Sequence, residues 1–192
     1  MGADKALYLA DRAGRGLLEA LAGQLAERFG ELVLVTNDRR KLAPRADLRP
    51  FAQVEDLRPG SGPAGAILTA LARLPGRPVF ILACDMPVID WELIGRLKNL
   101  MEAAGAAAAL PRHNGRLEPL YAFYGPAAAP VLARGLDEGR SAVRENLALM
   151  NTVFWDCPGE EGAVAGLFSN LNTVDEARQA GFSLLSPSRV LT

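Results

Sequence analysis

The sequence predicts an α/β fold, built on an open and mostly parallel sheet with helices on both faces. Two short runs, 32–36 and 79–83, contain only apolar residues apart from one threonine, which is typical of strands buried on both faces. Stretches with apolar residues at helical spacing alternate with such runs along the chain. This alternation favours parallel strands that are joined by right-handed helical crossovers.

The helices are predicted from apolar periodicity and from the residues that start and stop a helix. The first, 17–29, carries leucines on one side and is followed by Gly30. Asp90 is placed to cap the helix 90–103, and Thr173 with Glu176 has the spacing of a capping box. The other predicted helices are 63–74, 127–136, 142–149 and 173–180, and the other predicted strands are 106–110, 117–123 and 152–155.

The composition is that of a globular protein, with 49% hydrophobic and 22% charged residues among 192. We interpret 1–182 as a single domain and 183–192 as a C-terminal tail. The formal net charge is -1, so no overall basic field would attract nucleic acid or a membrane. No apolar run approaches the roughly 20 residues of a membrane-spanning helix, and the two cysteines form no zinc motif. These features predict a cytoplasmic protein.

Two carboxylates follow predicted strands or stand before glycines, which are the places where ligands bind in open parallel sheets. Asp85 comes just after 79–83, where a lone carboxylate can bind Mg²⁺ together with water and phosphate oxygens, although an aspartate can also simply end a strand. Asp56 precedes the glycine-containing stretch 60–65, which leads into the helix 63–74. Glycines there let an anion or a base edge approach backbone N–H groups, but they also make ordinary turns.

Three further side chains suit anions or polar ligands. Lys5 is one of only three lysines among 21 basic residues, and its compact charge suits a phosphate, although a solvated surface lysine explains it as well. His113, the only histidine, lies between arginines in a polar loop, which favours a solvated residue or a contact to a substrate anion over a general base. Glu118 stands among apolar residues of the strand 117–123, where it needs a partner such as a ligand hydroxyl or Arg116.

Seven short motifs occur in order along the chain. They are MGADKAL at 1–7, VTN at 35–37, VED at 54–56, GPAGAI at 62–67, CDMP at 84–87, GRLEPLY at 115–121 and NLNT at 170–173. Taken together they resemble the molybdenum cofactor guanylyltransferase family, and the resemblance spans nearly the whole chain. Related cytidylyltransferases tend to carry aspartate where Asn172 stands, which favours the guanylyl branch.

The resemblance implies a Rossmann-like nucleotidyltransferase sheet and a Mg²⁺-dependent transfer of GMP from GTP to the molybdopterin cofactor, with release of pyrophosphate. It makes Lys5 and Asp85 the catalytic residues, with Lys5 on the triphosphate and Asp85 on Mg²⁺. The other nucleotide contacts implied are Thr36 or Asn37, Asp56, Gly62, Pro63 and Gly65, and the acceptor contacts are Arg116, Glu118, Asn170 and Asn172. The implied partners are these small molecules, other cofactor maturation proteins and a recipient molybdoenzyme.

The chain departs from the family at its start. The family begins with a strand and a Leu-Ala-Gly-Gly-type loop before the Met-Gly, whereas this sequence begins at Met1-Gly2. We therefore expect the first strand and the phosphate-cradling loop to be missing from the sheet. A start placed too far downstream, omitted upstream residues, and a variant that lost the loop are the alternative explanations. The apolar segment 182–191 is a candidate to occupy the vacant position or a neighbouring groove.

Three functions stay open at this point. The first is a guanylyltransferase of molybdenum cofactor maturation. The second is a related nucleotidyltransferase that uses CTP or another phosphorylated acceptor. The third is a catalytically silent protein that binds the cofactor or a partner without transferring a nucleotide, because the glycine-rich loop is absent.

Overall fold

The computed structural model describes residues 9–10, 15–42, 48–157, 166–168, 171, 174–179 and 181–184. The chain forms two compact units. The first unit is drawn from 1–54, 84–89 and 169–192, and the second is drawn from 55–83 and 90–168. Both units are therefore built from segments that are distant in the sequence.

The six predicted helices are all present among the described residues, with shifted ends. They are α1 (Leu17–Ala26), α2 (Gly62–Arg73), α3 (Trp91–Ala104), α4 (Ala128–Asp137), α5 (Val143–Leu147) and α6 (Val174–Gln179). The strands are β1 (Leu9–Ala10), β2 (Val33–Thr36), β3 (Ala52–Glu55), β4 (Val79–Leu82), β5 (Ala108–His113), β6 (Arg116–Leu117), β7 (Tyr121–Tyr124), β8 (Thr152–Asp156) and β9 (Ser183–Leu184). None of the described helices combines the length and the apolar character that a bilayer-spanning segment requires.

The second unit is organised around a five-stranded sheet. Strand β7 lies between β4 and β5 and is antiparallel to both, and β6 is antiparallel to the end of β5. Strand β8 is parallel to β5, with Thr152 opposite Ala108. The α/β class is confirmed, but three of these four pairings are antiparallel where a mostly parallel sheet was predicted. The reason is that β6 and β7 follow β5 through short turns, which permit only antiparallel neighbours.

The predicted strand 117–123 is divided by a turn. Strand β6 ends at Leu117 and β7 begins at Tyr121, and the Tyr121 amide donates to the Glu118 carbonyl oxygen at 3.1 Å. Pro119 has no N–H to give to a neighbouring strand, so it interrupts the ladder. Glu118 therefore lies in this turn, and the prediction that it lies within a strand was wrong.

The core of the second unit forms where α3 packs on β5, β7 and β8. Every residue of β7 is buried, and α3 contributes Leu93, Ile94, Leu97 and Met101. As predicted, Asp90 caps α3, since its Oδ1 accepts hydrogen bonds from the amides of Glu92 and Leu93 at 2.9 and 3.0 Å. Helix α2 packs on β4 and on α4.

The first unit contains two smaller sheets, β2 with β3 and β1 with β9. All four residues of β2 are partly exposed, whereas burial on both faces was predicted. The reason is that β2 has β3 as its only sheet partner among the described residues. Strand β9 is antiparallel to β1, with Leu184 opposite Leu9. The first residues of the predicted tail thus take part in a sheet, and 185–191 lie outside the described residues.

Candidate functional site

Asp56 is buried and lies at the centre of a hydrogen-bond network just after β3, with only 6% of its surface exposed. Its Oδ1 accepts a hydrogen bond from the hydroxyl of Thr69 and another from the amide of Arg58, both at 2.9 Å. Thr69 is equally buried, at 3% exposure, and its Oγ1 accepts from the Leu57 amide at 2.9 Å. The carboxylate thereby ties the loop after β3 to the second turn of α2.

Gly65 lies against the second oxygen of Asp56. A Cβ atom at Gly65 would stand 2.9 Å from Asp56 Oδ2 and 3.1 Å from the Arg58 carbonyl oxygen, which is too close for any other residue without movement of the loop. Gly62 is needed for a different reason, because its φ of +60° is a left-handed conformation that side chains disfavour. The structure thus brings together Asp56 and Gly65 of the predicted nucleotide contacts, with Gly62 starting the same helix.

The N-terminus of α2 has backbone amides that a ligand could bind. Ser61 precedes the helix and makes no side-chain hydrogen bond to it, and Pro63 stands in its first turn. The first amides of a helix have no partner within the helix, and the helix dipole makes this end positive. A glycine-containing loop held by hydrogen bonds in front of these amides is an arrangement that can bind phosphate or a base edge.

Thr36 and Asn37 at the end of β2 differ in what their side chains do. The Thr36 hydroxyl is used locally, since it accepts from the Asp38 amide at 3.2 Å and contacts the Asp38 carbonyl oxygen at 3.3 Å. Asp38 is bound by Arg40, whose guanidinium hydrogen bonds hold the pKa of that carboxyl below its usual value. Asn37 is exposed, and its side chain makes no hydrogen bond to a residue that the structure describes. Of these two side chains, it is therefore that of Asn37 that offers polar groups to a ligand.

Asp85 is a half-buried carboxylate that follows β4 in the sequence. Burial raises its pKa, against a hydrogen bond from its own backbone that lowers it, and no described residue forms an ion pair with it. Its backbone is held from elsewhere, because its carbonyl oxygen accepts from the Leu171 amide at 3.0 Å. Burial that disfavours the lone negative charge is an environment in which a cation is stabilising.

A protein-built cage for a metal is absent from the part of the chain that the structure describes, where no three His, Cys, Asp or Glu side chains converge. A single carboxylate still suits Mg²⁺, which keeps several waters and takes phosphate oxygens from its substrate. Cys84 is partly buried beside Asp85 in the sequence. Burial, and then the charge of Asp85, raise the pKa of its thiol to about 11, so Cys84 is protonated and inert at neutral pH.

Glu118 lies in a second polar cluster, within the turn between β6 and β7. Burial raises its pKa, and the positive charges of Arg144, Arg116 and His113 act in the opposite direction. Arg116 and His113 are opposite each other across the hairpin of β5 and β6. Arg144 reaches the same place from α5, where its Nη2 donates to the Leu117 carbonyl oxygen at 3.3 Å. The predicted pair of Arg116 and Glu118 is therefore part of a cluster with two further cationic or titratable side chains.

Sequence reasoning missed several residues of these clusters. Thr69 could have been found as the only polar residue in the apolar stretch 64–72. Arg144 carries no comparable pattern, since its contact is with Leu117 far away in the sequence. His113, predicted to be solvated or to contact a substrate anion, is partly exposed, and its ring lies 6.2 Å from the ring of Phe168. Lys5, Asn170 and Asn172 lie outside the described residues.

The chain is similar to known proteins in both sequence and fold. The family model of the MobA-like NTP transferase domain matches residues 1–153. A protein from Peptoclostridium acidaminophilum named "Probable molybdenum cofactor guanylyltransferase" is 30% identical over 174 residues, which are 85% of this chain and 75% of that protein. A protein of the same name from Chloroflexus aggregans is 30% identical over 185 residues, with 92% and 85% covered.

A solved structure is also similar over most of its length. It is molybdopterin-guanine dinucleotide biosynthesis protein A from Archaeoglobus fulgidus, which is 25% identical to this chain. The TM-score is 0.77, and the match covers 92% of this chain and 88% of the other. The two proteins therefore share the α/β fold over most of their length.

Proposed function

Since the chain belongs to the family of MobA-like NTP transferase domains, we propose that it transfers GMP from GTP to the molybdopterin cofactor. The structural observation that carries this proposal is the buried network of Asp56 and Thr69, which holds a glycine-containing loop in front of the uncapped helix α2. The relatives named above support the choice of nucleotide and acceptor.

The reaction requires no covalent intermediate on the protein. An oxygen of the acceptor's terminal phosphate forms a bond to the α-phosphorus of GTP, the bond from that phosphorus to the bridging oxygen breaks, and pyrophosphate leaves. The protein then contributes position and charge stabilisation. The inert Cys84 thiol, with a pKa of about 11, agrees with a mechanism that uses no protein nucleophile.

Asp85 is the residue that we propose for Mg²⁺. When bound, the ion neutralises charge on the triphosphate and on the leaving pyrophosphate. The half-buried carboxylate fits this ion, because burial disfavours its negative charge and no described residue forms an ion pair with it. We propose that Lys5 contacts the triphosphate, on the strength of its position in the first motif alone.

For the nucleotide we propose Asn37 rather than Thr36, because the Thr36 hydroxyl is already bonded to the Asp38 backbone. Gly62, Pro63 and Gly65 contribute by the backbone shape that they allow. For the acceptor we propose Arg116 and Glu118, supported by the nearby Arg144. Asn170 and Asn172 are proposed from their motif. We also propose that the protein is cytoplasmic and that it contacts other maturation proteins or a recipient molybdoenzyme.

The test is a transfer assay with the purified full chain, molybdopterin, Mg²⁺ and either GTP or CTP. We expect pyrophosphate release and a guanine dinucleotide product with GTP only. Turnover with CTP in place of GTP would identify a cytidylyltransferase. Binding of molybdopterin without pyrophosphate release from either nucleotide would identify a silent binding protein.

A further inference from the structure

We propose that Thr69 is a positioning residue for the nucleotide, which acts through Asp56 and the loop 57–62 without touching the ligand. The inference rests on the proposed function, because it assumes that this loop binds GTP. It goes beyond that function in assigning a role to a side chain that lies in the second turn of α2 and is only 3% exposed.

Thr69 has three polar neighbours for one hydroxyl. Its Oγ1 lies 2.9 Å from Asp56 Oδ1, 2.9 Å from the Gly65 carbonyl oxygen and 2.9 Å from the Leu57 amide nitrogen. The hydroxyl has a single proton, and a carboxylate is a stronger acceptor than a carbonyl. The proton therefore goes to Asp56, and the lone pairs of Oγ1 receive the Leu57 amide.

These bonds determine where the loop begins. Leu57 is held by Thr69, Arg58 is held by Asp56 Oδ1 at 2.9 Å, and the Ser61 amide donates to the Arg58 carbonyl oxygen at 3.0 Å. The hydrogen bonds of Leu57, Arg58 and Ser61 thus form one series that begins at the buried side chains of Thr69 and Asp56. With Asp56 Oδ1 in this network and Oδ2 against Gly65, the carboxylate shapes the loop.

Packing alone does not call for a threonine at this position. Valine has nearly the same shape and would fill the same buried position in α2 without burying a hydroxyl. Removal of the hydroxyl would leave the Leu57 amide and one oxygen of the buried Asp56 without this partner, which is costly. The loop would then relax toward conformations that hydrate these groups.

The experiment compares three variants of the full chain. Thr69→Val removes the hydroxyl, Thr69→Ser restores it with a smaller side chain, and Thr152→Val is the matched control. Thr152 also uses its hydroxyl on backbone carbonyl oxygens, of Leu147 and Met150 at 3.0 and 3.2 Å, but it lies at the start of β8. The readouts are the Kd of GTP by calorimetry without acceptor, the melting temperature, and the KM and kcat of transfer.

We expect Thr69→Val to weaken GTP binding by about tenfold, the equivalent of one hydrogen bond to a charged group. The same change should raise the KM for GTP and leave the KM for molybdopterin unchanged, and Thr69→Ser should restore most of the affinity. Thr152→Val should lower the melting temperature without changing the Kd of GTP. Faster amide hydrogen exchange at 57–61 in Thr69→Val would support the same conclusion.

The inference is overturned if Thr69→Val melts at a lower temperature but binds GTP as tightly as the unmodified chain, since the hydroxyl is then only structural. It is also overturned if the unmodified chain does not bind GTP. If the unmodified chain binds GTP but transfers no nucleotide, the proposed function fails while the effect on Kd still decides the role of Thr69.

Discussion

The backbone amide of Leu171 donates a hydrogen bond to the carbonyl oxygen of Asp85 at 3.0 Å. The two residues belong to the motifs CDMP at 84–87 and NLNT at 170–173, which are far apart in the sequence. Leu171 is buried, as is Met86 next to Asp85. A residue of the second motif therefore supports the backbone of the residue that we propose for Mg²⁺.

The first prediction concerns Asp85 itself. Asp85→Asn removes the charge that would hold the metal but keeps the side-chain shape, so we expect Mg²⁺-dependent turnover to fall by more than about 100-fold, beyond the usual loss for groups that merely support a ligand. The measurement is pyrophosphate release against Mg²⁺ concentration, with circular dichroism as the control for folding. Mg²⁺-dependent turnover retained in Asp85→Asn would place the metal on another residue.

The second prediction concerns nucleotide choice. GTP with Mg²⁺ should raise the melting temperature of the chain more than CTP with Mg²⁺ at equal concentration, because stabilisation by a ligand increases with affinity and amounts to about 2.7 kcal/mol at 100 times Kd. Thermal denaturation with each nucleotide in turn is the measurement, and Mg²⁺ alone is the control. Equal shifts, or no shift, would contradict a guanine-specific site.

The third prediction separates Asn37 from Thr36. Asn37→Ala should raise the KM for GTP by roughly tenfold, since one ligand hydrogen bond is lost, and should leave the melting temperature nearly unchanged at this exposed position. Thr36→Val should instead lower stability by about 1 kcal/mol through its lost bonds to Asp38, with the KM for GTP unchanged. The opposite pattern in steady-state kinetics and melting would assign the contact to Thr36.

The fourth prediction is a pH dependence of stability at Glu118. Burial raises the pKa of this carboxyl above 4.5, so the folded state holds the proton more tightly than the unfolded state. Stability from this group is complete below the unfolded pKa and is lost as the pH rises through the folded pKa. Glu118→Gln stays neutral, so its melting temperature should exceed that of the unmodified chain at neutral pH.

Melting curves between neutral pH and the ordinary pKa of 4.5 test this point. The advantage of Glu118→Gln should shrink as the pH falls toward that value. If the difference in melting temperature between Glu118→Gln and the unmodified chain stayed constant over this range, burial of the charge would not be its cause. The same comparison at high salt would show how much the charges of the arginines stabilise the ionised carboxylate of Glu118.

The fifth prediction concerns Gly65. Gly65→Ala would place a Cβ atom 2.9 Å from Asp56 Oδ2, so we expect a loss of about 1–3 kcal/mol in the free energy of unfolding and weaker GTP binding. Gly23→Ala in α1 is the matched control, because no atom apart from its chain neighbours and the adjoining helix backbone lies within 4 Å of its new Cβ. That helical position should gain about 0.5–1 kcal/mol. Urea denaturation measures both, and a stable Gly65→Ala that binds GTP normally would show that the loop yields easily.

The sequence was sufficient for elements that depend on neighbouring residues. Helix α3 was predicted with its cap because Asp90 and the apolar side of the helix are both local patterns. Pairing and burial depend on distant strands, and the partial exposure of β2 could not be predicted from its apolar run. The hairpin at Asn114 and Gly115 is a different case, because this dipeptide favours two left-handed residues, with φ of +48° and +73°. The pattern was present, but the segment was predicted only as a polar loop.

The candidate site shows the same division. Glycines and carboxylates after strands were predicted as site residues because motifs mark them, and a Cβ atom at Gly65 would indeed lie only 2.9 Å from Asp56 Oδ2. Thr69 and Arg144 were not found, because their roles come from hydrogen bonds to Asp56 and Leu117, which the fold brings near. Buried partners of a site residue are fixed by tertiary structure, and a single sequence does not encode them as a pattern.

The pairing of β1 with β9 makes the opening and closing segments of the described chain neighbours in one ribbon. The backbone groups of Leu9 and Ala10 take their sheet partners from Ser183 and Leu184. A chain that ends at residue 182 would lack β9, so β1 would lose its sheet partner. Strand β1 follows Lys5 by only a few residues. The effect of a tag or a deletion near β9 should therefore be measured on the pairing of β1 as well.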